Sequence, residues 1–180
     1  MNAASPSHID LLTAGCEALS RGEWAEAATH FKAALEVEET PEAFEGLSTA
    51  ASWLDDGAKA IEAREHAYRL YREREDWRGA ARTALWLAFD YVEFRDERAI
   101  ANGWLGRARR LLEGHEPSGE HGWLLLAEGH FLLRFQRDAA AARKLASLKS
   151  AIRNQKLLAP TIFGISVRVP SSSRHASLGK

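Results

Sequence analysis

The chain has 180 residues, of which 46% are hydrophobic and 27% are charged, and this composition predicts a folded domain or a short array of repeats rather than a disordered chain. Its single cysteine, Cys16, excludes an internal disulfide framework and a multi-thiolate metal site. The longest strictly apolar run, residues 84–89, is far shorter than the roughly 20 residues that a membrane span needs. Residues 1–8 lack a basic start and an apolar core, so we expect no signal peptide and a cytoplasmic protein.

The net charge of −1 combines two oppositely charged parts. Residues 1–133 hold 14 Lys and Arg against 24 Asp and Glu, a net charge of −10, whereas residues 134–180 hold 10 against 1, a net charge of +9. No acidic residue follows Asp138. This division predicts an acidic body followed by a basic tail.

Apolar residues of the acidic body recur at steps of three and four, as they do on one face of a helix, and no stretch alternates like a half-buried strand. Such stripes cover residues 24–35, 61–71, 77–92 and 100–111, the second with a charged interruption at Arg64. Turn and cap residues separate them: Arg21-Gly22, Thr40-Pro41, Asp55-Asp56-Gly57, Asp76 and Asp96 as caps of the fifth and sixth helices, and a loop at residues 114–120. The pattern predicts seven helices with short connections, which pair as antiparallel hairpins.

The first two hairpins resemble each other at a fixed period. Eight residues between Leu11 and Ala34 have counterparts 33 positions later, close to the tetratricopeptide period of 34. Weaker third and fourth units follow at offsets of 41 and 40. Within a unit, small residues at Gly15 and Ala27 are predicted to let two helices approach closely, while Phe31 packs against the next pair.

The predicted fold is therefore all-α, with antiparallel helical hairpins stacked as a short TPR-like solenoid. We place this repeat domain at residues 9–152, after a disordered N-terminus at residues 1–8. Residues 138–152 can form a last helix, with Ala141, Leu145, Leu148 and Ile152 on one face. Residues 153–180 are predicted to be a basic, largely irregular tail, because prolines, a glycine and a serine run discourage helix there.

Four segments resemble the N-terminal repeat region of bacterial LuxR-type transcriptional regulators that carry tetratricopeptide-like repeats: residues 63–71, 80–88, 102–112 and 120–124. The resemblance covers roughly residues 10–133, and its most specific parts are Asn-Gly-Trp-Leu at 102–105 and His-Gly-Trp-Leu at 121–124. It implies a regulatory or scaffolding role. In that family the repeats continue further and end in a DNA-binding helix-turn-helix domain, but no such pattern follows Phe135. One hypothesis is that a broken reading frame has left a truncated repeat region with an unrelated tail.

We find no catalytic, cofactor-binding or metal-binding constellation in the sequence. His115, His121 and His130 lie around the predicted loop, yet none forms a His-Glu-x-x-His or Glu-x-x-His pair, so we expect loop and surface histidines. Cys16 is expected to be a buried small hydrophobe rather than a nucleophile. No phosphate-binding glycine loop or nucleophile elbow is present, and we expect that the protein is not an enzyme.

Arginines and tryptophans have alternative interpretations. Arg107, Arg109 and Arg110 mimic a recognition helix, but the apolar stripe around Trp104 predicts that they line the solvated side. We therefore expect no direct DNA binding by the acidic body. Five of the six tryptophans lie at or beside predicted helical core positions and are expected to pack there, although one or two could anchor a partner.

The sequence thus favours a non-catalytic protein–protein interaction scaffold of TPR type with a regulatory role. The expected partner is a protein or peptide in a concave groove, and self-association is possible because an incomplete array leaves apolar surface open. One alternative is a truncated signal-sensing region of a LuxR-type regulator. Another is weak, non-specific, strongly salt-dependent nucleic-acid binding through the basic tail. The repeat register is too loose in the later units to name individual binding residues.

Overall fold

The computed structural model describes residues 6–136, and over that range the chain is helical with no β-strand. The seven helices are α1 (His8–Arg21), α2 (Trp24–Val37), α3 (Pro41–Trp53), α4 (Gly57–Glu73), α5 (Trp77–Arg95), α6 (Arg98–Leu112) and α7 (Gly119–Gln136). The predicted all-helical fold is confirmed for this part of the chain. The helix predicted at residues 138–152 and the tail at 153–180 lie outside the described residues, as do residues 1–5. None of the described helices is long and apolar enough to cross a membrane.

Each helix packs against the next one along the chain. Connections of two or three residues join the first six helices, and residues 113–118 join α6 to α7. Connections this short turn the chain back on itself, so neighbouring helices run antiparallel. In addition α1 touches α3, α5 touches α7, and Tyr68 of α4 packs edge-on against Trp104 of α6 at 5.0 Å. Because Arg82 of α5 also forms an ion pair with Glu45 of α3, the odd-numbered helices lie in one row, and α4 and α6 lie side by side in another.

Helix starts follow the residues that the sequence marked. Thr40 caps α3 by accepting a hydrogen bond from the N–H of Ala43 at 3.4 Å, and Pro41 is the first helical residue. Asp76 caps α5 through the N–H of Gly79 at 2.9 Å. These predicted caps are confirmed. The first helix begins at His8, where Ser7 and Asp10 form a capping box.

Four of the connections share one backbone geometry. In each, a residue with positive φ is followed by an acidic N-cap residue whose N–H donates to a carbonyl of the preceding helix at 2.9–3.0 Å. The pairs are Gly22–Glu23, Asp55–Asp56, Glu75–Asp76 and Asp96–Glu97. The prediction that Asp96 caps α6 is therefore wrong. Asp96 has φ 50° and ends α5, because it occupies the left-handed position of this turn, and Glu97 is the N-cap residue.

Small residues bring the helices of the first hairpins close together. Phe31 is 1% exposed and lies between Gly15 of α1 and Gly46 of α3. A Cβ atom at Gly15 would come within 2.8 Å of the Phe31 ring, and one at Gly46 would overlap it. The close approach predicted for Gly15 is confirmed. Alanine forms much of the remaining contact surface, and the fully buried examples include Ala18, Ala27, Ala34, Ala50, Ala60, Ala67, Ala84, Ala88, Ala101 and Ala108.

We expect Gly46→Ala and Gly103→Ala to change stability in opposite directions. Gly46→Ala should lower the free energy of unfolding by about 1–3 kcal/mol, because the added methyl group overpacks against Phe31. At Gly103 a Cβ atom would meet only the Arg107 Nη1 atom at 3.8 Å. Gly103→Ala should therefore raise the free energy of unfolding by about 0.5–1 kcal/mol through helix propensity. Urea denaturation of the full chain measures both changes, and a stabilising Gly46→Ala would contradict the proposed packing.

Candidate functional site

One stripe of α5 remains partly exposed although most of that helix is buried. Its residues recur at steps of four, four, three and four, so they lie on one helical face. They are Arg78, Arg82, Trp86, Phe89 and Glu93, and we call them the α5 stripe. Because α5 lies between α4 and α6 and its stripe reaches α3 and α7, the stripe belongs to the row of odd-numbered helices.

A paired charge joins the α5 stripe to α3. The guanidinium of Arg82 donates two hydrogen bonds to the Glu45 carboxylate, from Nε to Oε1 at 2.7 Å and from Nη2 to Oε2 at 2.8 Å. The hydroxyl of Tyr71 donates to the same carboxylate at 2.8 Å. Burial, followed by the negative charge of Glu45, raises the pKa of Tyr71 above its ordinary value. Tyr71 therefore remains a neutral donor, and this part of the surface is held by a bidentate ion pair with a third hydrogen bond.

Aromatic side chains join the α5 stripe to α7. The ring of Trp86 lies 6.4 Å from that of Trp123, and the ring of Phe89 meets that of Phe131 edge-on at 5.6 Å. A shallow pocket, open to solvent, lies between the two helices. The pocket is lined by Arg82, Leu85, Trp86, Phe89, Glu120 and Trp123. Its walls are therefore mainly aromatic and aliphatic, with one cation and one carboxylate at the rim.

The rim carboxylate is itself paired. Arg78 Nε donates to Glu120 Oε2 at 3.2 Å. Burial acts to raise the pKa of Glu120, but hydrogen bonds from the side chain of Ser118, from the backbone and from Arg78 outweigh burial and hold that pKa below its ordinary value. Glu120 is therefore ionised at neutral pH, and both rim charges of the pocket are already neutralised by partners on the protein.

A buried ion pair lies behind the pocket wall. Arg64 of α4 is 3% exposed, and its Nη1 donates to Asp90 of α5 while its Nε donates to Ser48 Oγ of α3 at 3.1 Å. The same guanidinium lies 5.6 Å from the ring centroid of Trp86. Burial raises the pKa of Asp90, and the charge of Arg64 opposes that rise. Arg64 thus connects three helices and supports one aromatic wall of the pocket.

The histidines that flank the α6–α7 connection have separate contacts. His115 stacks on Trp77 at 4.0 Å, and His130 lies 5.6 Å from Phe89. His121 Nδ1 accepts from the Ser118 N–H at 3.1 Å, and its Nε2 bonds the Leu112 carbonyl at 3.1 Å. His121 therefore fastens the connection. Within residues 6–136 no group of three or more His, Cys, Asp or Glu side chains is arranged to hold a metal ion.

The arginines of α6 lie on its solvated side, as predicted. Arg107 covers its own neighbour Trp104 at 4.3 Å, Arg109 pairs with Glu128 of α7, and both arginines are exposed. Among the tryptophans, Trp104 is buried. The others are half-buried, and Trp24 and Trp53 stack on each other at 4.8 Å.

Sequence reasoning did not identify which tryptophans reach the candidate surface. The structure places Trp86 and Trp123 there. The signal that could have found Trp86 is the spacing of the α5 stripe, whose larger polar and aromatic residues interrupt an alanine-rich helix.

Comparison with protein-family models, with curated proteins and with solved structures returns no match. The functional argument therefore rests on the geometry of this surface.

We expect Asp90→Ala to lower the free energy of unfolding by about 3–5 kcal/mol, because it leaves the charge of Arg64 buried without its partner. Replacing both partners, in Arg64→Met with Asp90→Leu, should recover much of that loss. Glu42→Ala is the matched control, since Glu42 forms a half-exposed ion pair with Arg74, and it should cost far less. Urea denaturation compares the variants. Equal losses for Asp90→Ala and Glu42→Ala would show that the buried pair is not structurally important.

We expect Cys16 to react slowly with iodoacetamide in the native full chain at neutral pH. The side chain is half-buried in α1, and burial raises the pKa of its thiol, so little thiolate is available. Alkylation followed by intact mass should be at least about tenfold faster after unfolding in urea, when it is normalised to glutathione under the same conditions. A native rate above that of glutathione would restore the interpretation of Cys16 as a nucleophile.

Proposed function

We propose that this chain is a non-catalytic protein-interaction module of the tetratricopeptide-like kind, which binds a peptide along the row of odd-numbered helices. The observation that carries the proposal is the solvent-open pocket between α5 and α7, with Trp86, Phe89 and Trp123 in its walls. Tryptophan and other large aromatic side chains supply most of the binding energy in many protein interfaces. An apolar side chain of the partner is the ligand that such walls accept.

The charges around the pocket favour an apolar anchor over a charged one. Arg82 is paired with Glu45, and Glu120 is paired with Arg78, so neither rim charge is free to attract an ion. The guanidinium of Arg64 lies over one face of the Trp86 ring, so that face is not available to a cation of the partner. The same pairs hold the pocket walls in place before a ligand arrives, which lowers the entropy that binding must overcome.

The packing of the helices supports an extended site rather than an isolated pocket. Antiparallel neighbours, a row of odd-numbered helices and a 33-residue correspondence between the first two hairpins are features of stacked hairpin arrays. In such arrays a peptide crosses several hairpins. The ion pair between Glu45 and Arg82 begins at the rim of the pocket and reaches α3, where it provides polar groups for the backbone of such a peptide.

A regulatory role of the LuxR type and nucleic-acid binding through residues 134–180 stay predictions from the sequence. The first rests on the resemblance of four segments, and the second on a charge of +9. DNA binding that is lost between low and moderate salt would support nucleic-acid binding through residues 134–180. Binding of an apolar anchor in the pocket should instead persist at high salt.

We expect peptides selected on the full chain from a random phage-displayed library to share an apolar anchor residue and to depend on Trp123. Synthetic versions of the selected peptides should bind Trp123→Ala at least about tenfold more weakly than the unaltered chain, as judged by titration calorimetry. Trp53→Ala is the matched control, because Trp53 stacks on Trp24 away from the pocket, and it should change the affinity less than about threefold.

Circular dichroism of each variant checks that the helices are retained. If no peptide family is selected, or if Trp53→Ala weakens binding as much as Trp123→Ala, the pocket is not the binding site and the proposal fails.

A further inference from the structure

The side of α3 that reaches solvent carries four polar residues at steps of three, four and three, so they lie on one helical face. They are Glu42, Glu45, Thr49 and Ser52, and each is exposed or half-buried. No Lys or Arg occurs in α3. This face therefore presents carboxylates and hydroxyls, in contrast to the aromatic side chains that α7 places against α5.

Two contacts fix the position of this face beside the α5 stripe. At the first, the Glu45 carboxylate accepts the two hydrogen bonds from Arg82. At the second, one turn further along each helix, the Arg64 guanidinium bonds to Ser48 Oγ at 3.1 Å and lies 5.6 Å from the ring centroid of Trp86. Because α3 and α5 are each antiparallel to α4, they run parallel to each other. The polar face of α3 therefore lies alongside the α5 stripe, level with the aromatic wall of the pocket.

The polar groups of this face offer a partner acceptors rather than donors. Thr49 Oγ1 donates to the carbonyl of Glu45 at 2.9 Å, and Ser52 Oγ donates to the carbonyl four residues before it at 2.9 Å. Each hydroxyl has a single hydrogen, so only its lone pairs remain for a partner. Among the described residues, Arg82 and Tyr71 donate three hydrogen bonds to the Glu45 carboxylate, which has about four acceptor positions. We call Glu45, Thr49 and Ser52 the oxygen row of α3.

A surface that offers acceptors is best matched by a group that carries donors alone. The ammonium of lysine and the guanidinium of arginine are such groups, whereas amides and hydroxyls bring acceptor atoms that would themselves need donors. The positive charge of Arg82 is neutralised by Glu45, and residues 1–133 carry a net charge of −10, so the field of the protein attracts a cation. A basic side chain is therefore the best complement to the oxygen row.

We propose that the partner peptide places a basic side chain against the oxygen row of α3 while its apolar anchor lies in the pocket between α5 and α7. The two contacts lie on opposite sides of α5, so they are separated by the width of a helix, about 10 Å. An extended peptide covers that distance in about three residues. The expected motif is thus an apolar and a basic residue about three positions apart. This inference rests on the proposed function and specifies the chemistry of its partner.

The test selects peptides from a random phage-displayed library on the unaltered full chain and on two double variants. Thr49→Val with Ser52→Ala removes both hydroxyls of the oxygen row. Thr29→Val with Ser20→Ala is the matched control, because these hydroxyls also donate to carbonyls of their own helices, α2 and α1. We expect Lys or Arg near the apolar anchor in peptides selected on the unaltered chain and on the control. This preference should be lost in selection on the α3 variant, because its surface lacks the two hydroxyl acceptors.

Titration calorimetry with a selected peptide measures the contribution of the basic residue. Replacing that residue of the peptide by methionine should weaken binding to the unaltered chain at least about fivefold, and binding to the α3 variant less than about twofold. Circular dichroism checks that each variant retains its helices. Peptides that depend on Trp123 but carry no basic residue near the anchor, or that lose equal affinity for both chains, overturn this inference and leave the pocket proposal standing. If no peptides are selected, or if their binding does not depend on Trp123, the proposed function fails and this inference fails with it.

Discussion

The buried guanidinium of Arg64 sets the alignment of three consecutive helices. In the first hairpin the corresponding position is occupied by Phe31. Its apolar ring needs only room between the helices, and Gly15 provides that room because it has no side chain. In the second hairpin, 33 residues later, Arg64 is almost equally buried and faces Ser48, the counterpart of Gly15. A charge without solvent must find a carboxylate and hydrogen-bond acceptors at fixed distances. Ser48 on α3 and Asp90 on α5 satisfy it only in one register, so the ion pair specifies an arrangement that apolar packing alone would leave less sharply defined.

The same alignment determines the chemistry of the surface. Asp90 and Trp86 are one helical turn apart on α5, so the carboxylate that binds Arg64 also fixes the tryptophan over which the guanidinium lies. On the neighbouring side, Glu45 precedes Ser48 by three residues and receives Arg82. The aromatic and charged side chains of this surface are fixed by contacts with the residues beneath them. Binding a ligand therefore does not have to order these side chains first, which lowers the conformational entropy that binding costs.

Local features of this fold were predictable, and features that depend on distant partners were not. Thr40, Pro41 and Asp76 mark helix starts through bonds to residues three positions away, which a sequence displays directly. Arg64 was interpreted as an interruption because its burial depends on Asp90, 26 residues later. Asp96 was wrongly predicted to be the N-cap of α6. The left-handed position of the turn accepts Asp, Glu or Gly, and an acidic residue there cannot be distinguished by sequence from an acidic N-cap residue. The face of α5 that reaches solvent was not predicted, because small apolar residues surround that helix and its apolar periodicity marks no single face; only the spacing of its larger polar and aromatic residues marks the exposed one. Stacking as a TPR-like solenoid and the identity of the partner stay predictions.

The recurrence of one turn at four junctions has a consequence for how such a chain can change over generations. Gly22–Glu23 and Asp55–Asp56 present the same entry and exit directions to the helices they join, and they are 33 residues apart. Duplication or loss of the stretch between two such turns would rejoin equivalent backbone conformations, so neither neighbouring helix would need a new direction. The number of hairpins can therefore change during evolution while the conformation of each turn is conserved. The surface would then become longer or shorter by one hairpin at a time.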